Sequence, residues 1–257
     1  MPGPDLPLLE SAARQAGAIA LRYFRRDPQV WDKGGDQGPV TEADLAVNDY
    51  LKGALRAARP DYGWLSEESP DDPQRLNCAR VFIVDPIDGT RAFISGEDNF
   101  AISIAVAERG QIIAGAVYLP AKNRLYTAEL GGVALRDGKA ISASSRAELT
   151  GSHVLATRIN MMPEFWPKGV PDLQRSFRTS LAYRLCLVAE GRYDGMLTFR
   201  DTWEWDIAAG VLICACAGAN VSDGMGKMIQ FNSPKAKQAG VLAAAPALHE
   251  QLIARRS

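Results

Sequence analysis

The run Val81-Phe82-Ile83-Val84-Asp85-Pro86-Ile87-Asp88-Gly89-Thr90 decides how the rest of the chain is read. A buried apolar strand ends at Asp85, and Pro86 biases that acid toward extended geometry. Asp88 follows three residues later, and Gly89-Thr90 turns the chain into the next segment. Two acids at the end of one strand can point into one cleft and share hard divalent cations, because Mg²⁺ prefers oxygen ligands and keeps open water positions. The N–H groups of Gly89 and Thr90 would then face outward, ready to hold a phosphate oxygen. The same ten residues also read as a strand ending in an Asp-Pro turn with a helix N-cap. Taken alone, they leave both readings open.

Working outward, three more acidic pieces have an equally plain reading when each stands alone. Upstream, Glu67-Glu68 follows the strand-like Trp64-Leu65-Ser66 and reads as a solvated turn. Thr41-Glu42-Ala43-Asp44 reads as a helix start, with Thr41 as N-cap and Asp44 where a capping acid belongs. Downstream, Trp203-Glu204-Trp205-Asp206 precedes the apolar Ile207-Ala208-Ala209-Gly210, and Asp206 is most simply the N-cap of that helix.

The elements between these pieces follow from periodicity. Leu9, Ala13, Ala16, Ile19, Ala20 and Tyr23 recur at helical spacing and predict a helix over about residues 6–26. The segment Lys33 to Pro39 is too glycine-rich for regular structure, and a second helix runs from Thr41 to Pro60. Short strands are predicted at Trp64–Leu65, Val81–Val84, Ala101–Ala107, Ile112–Tyr118 and Arg124–Glu129. After about residue 145 strand and helix alternate. The strands are His153–Thr157, Tyr193–Phe199, Asn220–Ser222 and Val241–Ala244, and the helices Leu181–Glu190, Asp206–Ala217 and Pro246–Arg255. This pattern suggests two lobes, 1–145 and 146–257, sharing an interface without a long linker.

Composition narrows the chemistry. The 257 residues carry 29 Lys+Arg against 30 Asp+Glu, a formal net charge of -1, which gives no global attraction to nucleic acid or anionic membrane. The 2 histidines, His153 and His249, are far apart and not at ligand spacing, so zinc-hydrolase and Ser-His-Asp chemistry are disfavoured in favour of carboxylates. Cys186, Cys214 and Cys216 sit in apolar surroundings as small hydrophobes, and Cys214-Ala215-Cys216 has one intervening residue rather than the two of a redox or metal pair. With no secretory signal in MPGPDLPLLE and no membrane-length apolar run, a soluble, reducing, cytoplasmic setting is the expectation.

Taken together and in order, WLSEES (64–69), VDPIDGTRAF (84–93) and WEWDIAAG (203–210) resemble the signature of the inositol monophosphatase superfamily of Mg²⁺-dependent, lithium-sensitive phosphatases. The resemblance runs from Lys33 to the Gly218 region. It implies a layered αβαβα sandwich, α+β or α/β in class, with the metal site between the lobes, and a possible homodimer. It also implies roles. Asp85 would bridge two Mg²⁺ ions, with Glu67 and the Ile87 carbonyl completing the first site. Asp88 and Asp206 would hold the second ion, and Glu67 would share a weaker third. Thr90 and Asp44 would orient and deprotonate the attacking water, the Gly89 and Thr90 amides would hold the phosphoryl oxygens, and Lys33 would stand near the site or be a solvated loop charge. The Gly34–Gly38 loop is a candidate lid.

Ser180 to Gly191 is similar to the corresponding segment of the bacterial 3′(2′),5′-bisphosphate nucleotidases, which place a basic residue where Arg184 stands. Phe199 stands seven residues before Asp206, where inositol-specific members carry a Glu. The resemblance therefore implies a substrate pocket of Ser180, Arg184, Phe199 and Arg200, with the arginines meeting a second phosphate. Solvated arginines and a core phenylalanine are the plainer readings. The leading substrate is 3′-phosphoadenosine 5′-phosphate. An inositol, sugar or histidinol phosphate is the alternative, and a non-catalytic regulatory or binding module the distant one.

Overall fold

The computed structural model describes residues 5–34 and 38–256. The strand Arg80–Asp88 lies second in a seven-stranded sheet, between Gly63–Ser66 and Ala101–Glu108. Gln111–Leu119, Arg124–Glu129 and the short strands Leu135–Arg136 and Lys139–Ala140 complete it. Only the pair Gly63–Ser66 with Arg80–Asp88 is parallel. Successive strand side chains point to opposite faces, and here both faces are covered. Phe82 and Val84 join one apolar cluster with Ile102, Ile104 and Val106, while Val81 and Ile83 join another with Ala105 and Ala107.

Helices α1 (Asp5–Tyr23) and α2 (Glu42–Ala58) cover the first face. A short helix α3 (Thr90–Ile94) follows the strand Arg80–Asp88. Helices α4 (Leu181–Ala189) and α5 (Glu204–Cys216) cover the second face and form the middle layer. Every residue of α4 is buried, and α5 is apolar nearly all round, the composition of a helix with a neighbour on each side. Small residues allow the close approach. A Cβ on Gly115 would lie 3.1 Å from the Ala209 Cα, and one on Gly210 would lie 2.6 Å from the Leu185 side chain. Overpacking of that kind typically costs about 1–3 kcal/mol.

Beyond the middle layer lies a five-stranded sheet, in the order Leu173–Ser176, Ser152–Leu155, Gly195–Thr198, Val241–Ala244, Asn220–Ser222. Its outer face packs Val154, Leu197, Leu242 and Ala244 against Leu248 and Leu252 of α6 (Pro246–Ala254). The result is a helix–sheet–helix–sheet–helix sandwich of the α+β class. None of the described helices is long and apolar enough to cross a membrane.

The structure departs from the sequence reading at several ends. The central strand does not stop at Asp85 but continues to Asp88 through a bulge. Helix α1 ends at Tyr23, short of residue 26. Helix α5 begins at Glu204 with Trp203 at the cap position and no side-chain capping bond, so Asp206 sits in the first turn and is not the N-cap. Val30–Asp32 pairs with Pro39–Thr41 as a small ribbon, and Leu173–Ser176 forms an edge strand that periodicity did not mark. Of the Gly34–Gly38 loop, residues 35–37 lie outside the described residues.

Candidate active site

The bulge explains how two acids three residues apart reach one cleft. Asp85 lies opposite Ser103 and Asp88 opposite Ala101, so three steps on one strand match two on its neighbour. Without the extra residue, the alternation of the pleat would send the two carboxylates to opposite faces. With it, both point to the middle layer, where Asp206 arrives on the first turn of α5. Carboxylate oxygens of Asp85, Asp88 and Asp206 all lie within 4.8 Å of one another.

Each acid is held differently. The Ile87 N–H donates to Asp85 Oδ1 at 3.0 Å, a local turn made by the acid's own chain. One oxygen of Asp88, Oδ2, accepts from the Ser180 hydroxyl at 2.6 Å and from the Ala182 N–H at 2.7 Å, both at the start of α4. Among the described residues, none of the three carboxylates forms an ion pair with a Lys or Arg. Burial pushes all three carboxyls above their ordinary range. For Asp85 and Asp206 the neighbouring acids add to the rise, while for Asp88 the Ser180 and Ala182 donors oppose it.

A second group of acids borders the cluster. Asp44 is fully buried and closes the capping box of α2, its Oδ2 accepting from the Thr41 N–H at 2.8 Å and from the Thr41 hydroxyl. Its other oxygen faces the Thr90 hydroxyl at 3.2 Å, and that single proton has a rival acceptor in the Ile87 carbonyl at the same distance. Burial raises Asp44 to about 6 and Glu67 to about 7, the latter against the pull of Lys33. Lys33 Nζ bridges Glu67 at 2.8 Å and Glu68 at 2.6 Å. For that ammonium burial works downward, but the Glu67 charge and the bonds to both acids outweigh it and raise its pKa. The turn carrying the Glu pair is fixed from below. Ser66 donates to Asn48 at 2.8 Å, and Ser69 accepts from Asn48 and from the Trp64 indole N–H at 3.0 Å. Sequence reasoning passed over this Ser/Asn scaffold; two serines flanking an acid pair were its only signal.

Of the other residues singled out from sequence, Gly89 has φ 101° and caps α3, where a Cβ would sit 3.2 Å from the Asn99 carbonyl. Arg184 is 6% exposed on α4. Its guanidinium lies over the Phe177 ring, and its Nε donates to the Arg178 carbonyl. Burial pulls it down to about 10, with Arg200 adding to the fall and Asp88 and Asp206 opposing it. Arg200 is exposed. The Phe199 ring is packed against Phe165 and Trp166 and lies under the Arg256 guanidinium at 3.4 Å, a setting that favours the core role. Glu204, two residues before Asp206 in sequence, points elsewhere and accepts from the Asn232 and Ser233 N–H groups and from Gln238.

An all-oxygen donor set, mutually repelling and ion-paired to no described Lys or Arg, suits a hard divalent ion, and the residues present fit one. Fold and site together define the class: a layered α+β sandwich built around a carboxylate centre. Residues 4–257 match the Inositol monophosphatase family, and the chain belongs to it. It is 37% identical over 245 residues to inositol-1-monophosphatase of Mesorhizobium japonicum, covering 85% of each chain. It is 33% identical over 223 residues to the 3′(2′),5′-bisphosphate nucleotidase CysQ of Escherichia coli K12, covering 85% of this chain and 90% of that one. The solved structure of extragenic suppressor protein suhB from Bartonella henselae matches with a TM-score of 0.83 at 29% identity, covering 98% of this chain and 97% of that chain.

Proposed function

We propose that this phosphatase is a Mg²⁺-dependent phosphomonoesterase of the cytoplasm acting on a small phosphorylated metabolite. The observation that carries the reading is the convergence of Asp85, Asp88 and Asp206 within 4.8 Å. These three would hold two ions, with Glu67 and the Ile87 carbonyl completing the set and Glu67 sharing a third. When bound, the ions supply Lewis acidity, lowering the pKa of water and neutralising charge on the departing ester oxygen. The protein's own groups do the rest. Thr90 and Asp44 orient the attacking water and take its proton, a task suited to a carboxylate at about 6. The Gly89 and Thr90 amides hold the phosphoryl oxygens where charge accumulates. The water oxygen bonds to phosphorus as the ester P–O bond breaks, and the alcohol leaves with a proton.

The leading substrate in this reading is 3′-phosphoadenosine 5′-phosphate. Support comes from Arg184, a buried guanidinium that pairs with no carboxylate among the described residues and stands within electrostatic reach of Asp88, Asp206 and Arg200. In this reading Ser180, Arg184, Phe199 and Arg200 would line the substrate pocket, with the two arginines meeting a second phosphate. An inositol phosphate is the second reading, favoured by the name of the Mesorhizobium relative. A phosphate-release panel with Mg²⁺ tests both, comparing 3′-phosphoadenosine 5′-phosphate, inositol 1-phosphate, histidinol phosphate and fructose 1,6-bisphosphate. Preference for the bisphosphate nucleotide is expected. Arg184→Gln should cut its kcat/KM by about 10–100-fold, the weight of one charged hydrogen bond, and spare the simple monophosphates. Strong preference for inositol 1-phosphate would contradict the substrate assignment.

A further inference from the structure

Ser180 is held in a backbone conformation that L residues rarely adopt, with φ 66° and ψ 113°. Such strain persists only where the surroundings enforce it, and here they are identifiable. The Ser180 hydroxyl donates to Asp88 Oδ2 at 2.6 Å and accepts the Tyr183 N–H at 3.0 Å as the N-cap of α4. The preceding Thr179 hydroxyl donates across to the Asn99 carbonyl at 2.9 Å. Gly89, next to Asp88, packs against the joint, where an added Cβ would meet the Ser180 Cβ at an ordinary contact distance of 3.5 Å. The joint thus ties α4 to the strand Arg80–Asp88 at one carboxylate. The Ala182 N–H supplies a second donor to the same oxygen at 2.7 Å.

With Oδ2 held by two donors and the Leu181 N–H also bonding the carboxylate, the start of α4 fixes the orientation of Asp88 at the cluster. We infer that Ser180 is a positioning residue: its strained hydroxyl, with the first turn of α4, holds the Asp88 carboxylate in the orientation that faces the cluster. This goes beyond a pocket role for Ser180 and rests on the reading of Asp88 as a Mg²⁺ ligand. Outer donors that orient a ligand are typically worth about 10–100-fold in metal affinity.

The test is calorimetric titration of the full-length protein with Mg²⁺, alongside thermal melts without metal, for the wild type, Ser180→Ala and Ser180→Gly. Alanine keeps the unfavourable φ and loses the hydroxyl; glycine loses the hydroxyl and relieves the strain. Both variants should bind Mg²⁺ about 10–100-fold more weakly, while the glycine variant melts higher than the alanine variant. Wild-type Mg²⁺ affinity in a folded Ser180→Gly protein would overturn the proposal, because the hydroxyl would then be dispensable. If the wild type itself binds no Mg²⁺, the metal reading fails instead, so the two failures are separable.

Discussion

Two buried acidic neighbourhoods of this molecule are built on opposite principles. At the start of α1, Asp5 is buried yet fully partnered, with Arg59 at 2.9 Å, Arg80 at 3.3 Å and the Tyr62 hydroxyl at 3.1 Å. At the sandwich centre, Asp85, Asp88 and Asp206 crowd together, and no ion pair to a described Lys or Arg relieves them. An acid buried to hold a fold is given its cations by the protein, since an unpaired buried charge is strongly destabilising. An acid buried to hold a ligand is left with oxygens free. Glu204 sharpens the contrast: two residues from Asp206, its oxygens are taken by two backbone N–H groups and Gln238, and it stays out of the cluster.

The largest expected effect separates the two neighbourhoods by activity. Asp88→Asn should bring phosphate release to background, while its melting temperature without metal stays at or above that of wild type, because one repelling charge has gone. Retained turnover in that variant would break the comparison. Asp5→Ala should do the reverse, removing about 1–3 kcal/mol of stability in denaturant titrations through the lost bonds to Arg59, Arg80 and Tyr62 and leaving the Mg²⁺ dependence of turnover unchanged.

The third expectation concerns pH. Asp44 and Glu67 are raised by burial from ordinary values of 3.8 and 4.5 to about 6 and about 7. A carboxyl with a raised folded pKa adds stability below its unfolded pKa, and that stability is lost as pH rises through the folded value. The metal-free protein should therefore weaken between pH 5 and pH 8 by on the order of 3 kcal/mol, or roughly 10 °C in Tm. Saturating Mg²⁺ should flatten that slope. Melts that rise toward pH 8 without metal would show that these acids are not desolvated as described.

The sequence exposed these regions unevenly, for physical reasons. The pair Asp85 and Asp88 was legible because an apolar run ending in acids is a local signal. The bulge that turns both acids to one face was not, since it depends on the neighbouring strand. The capping box at Thr41 and Asp44 was legible because its spacing is fixed by the helix itself. Asp206 was brought to the cluster on paper only by resemblance, since its position depends on α5 packing between two sheets. The conformation of Ser180 left no trace, because a strained φ at a residue other than glycine has no composition to announce it. Leu173–Ser176 was missed for a related reason: a four-residue, half-exposed edge strand carries too little apolar alternation to be seen.

The account rests on the carboxylate cluster acting through Mg²⁺, and one assay meets that claim head on. Chelator-treated protein is supplied with 3′-phosphoadenosine 5′-phosphate, and phosphate release is followed as Mg²⁺ is added back. The account predicts no release above background in chelator and a saturable rise with Mg²⁺. Undiminished release with chelator in excess would contradict it.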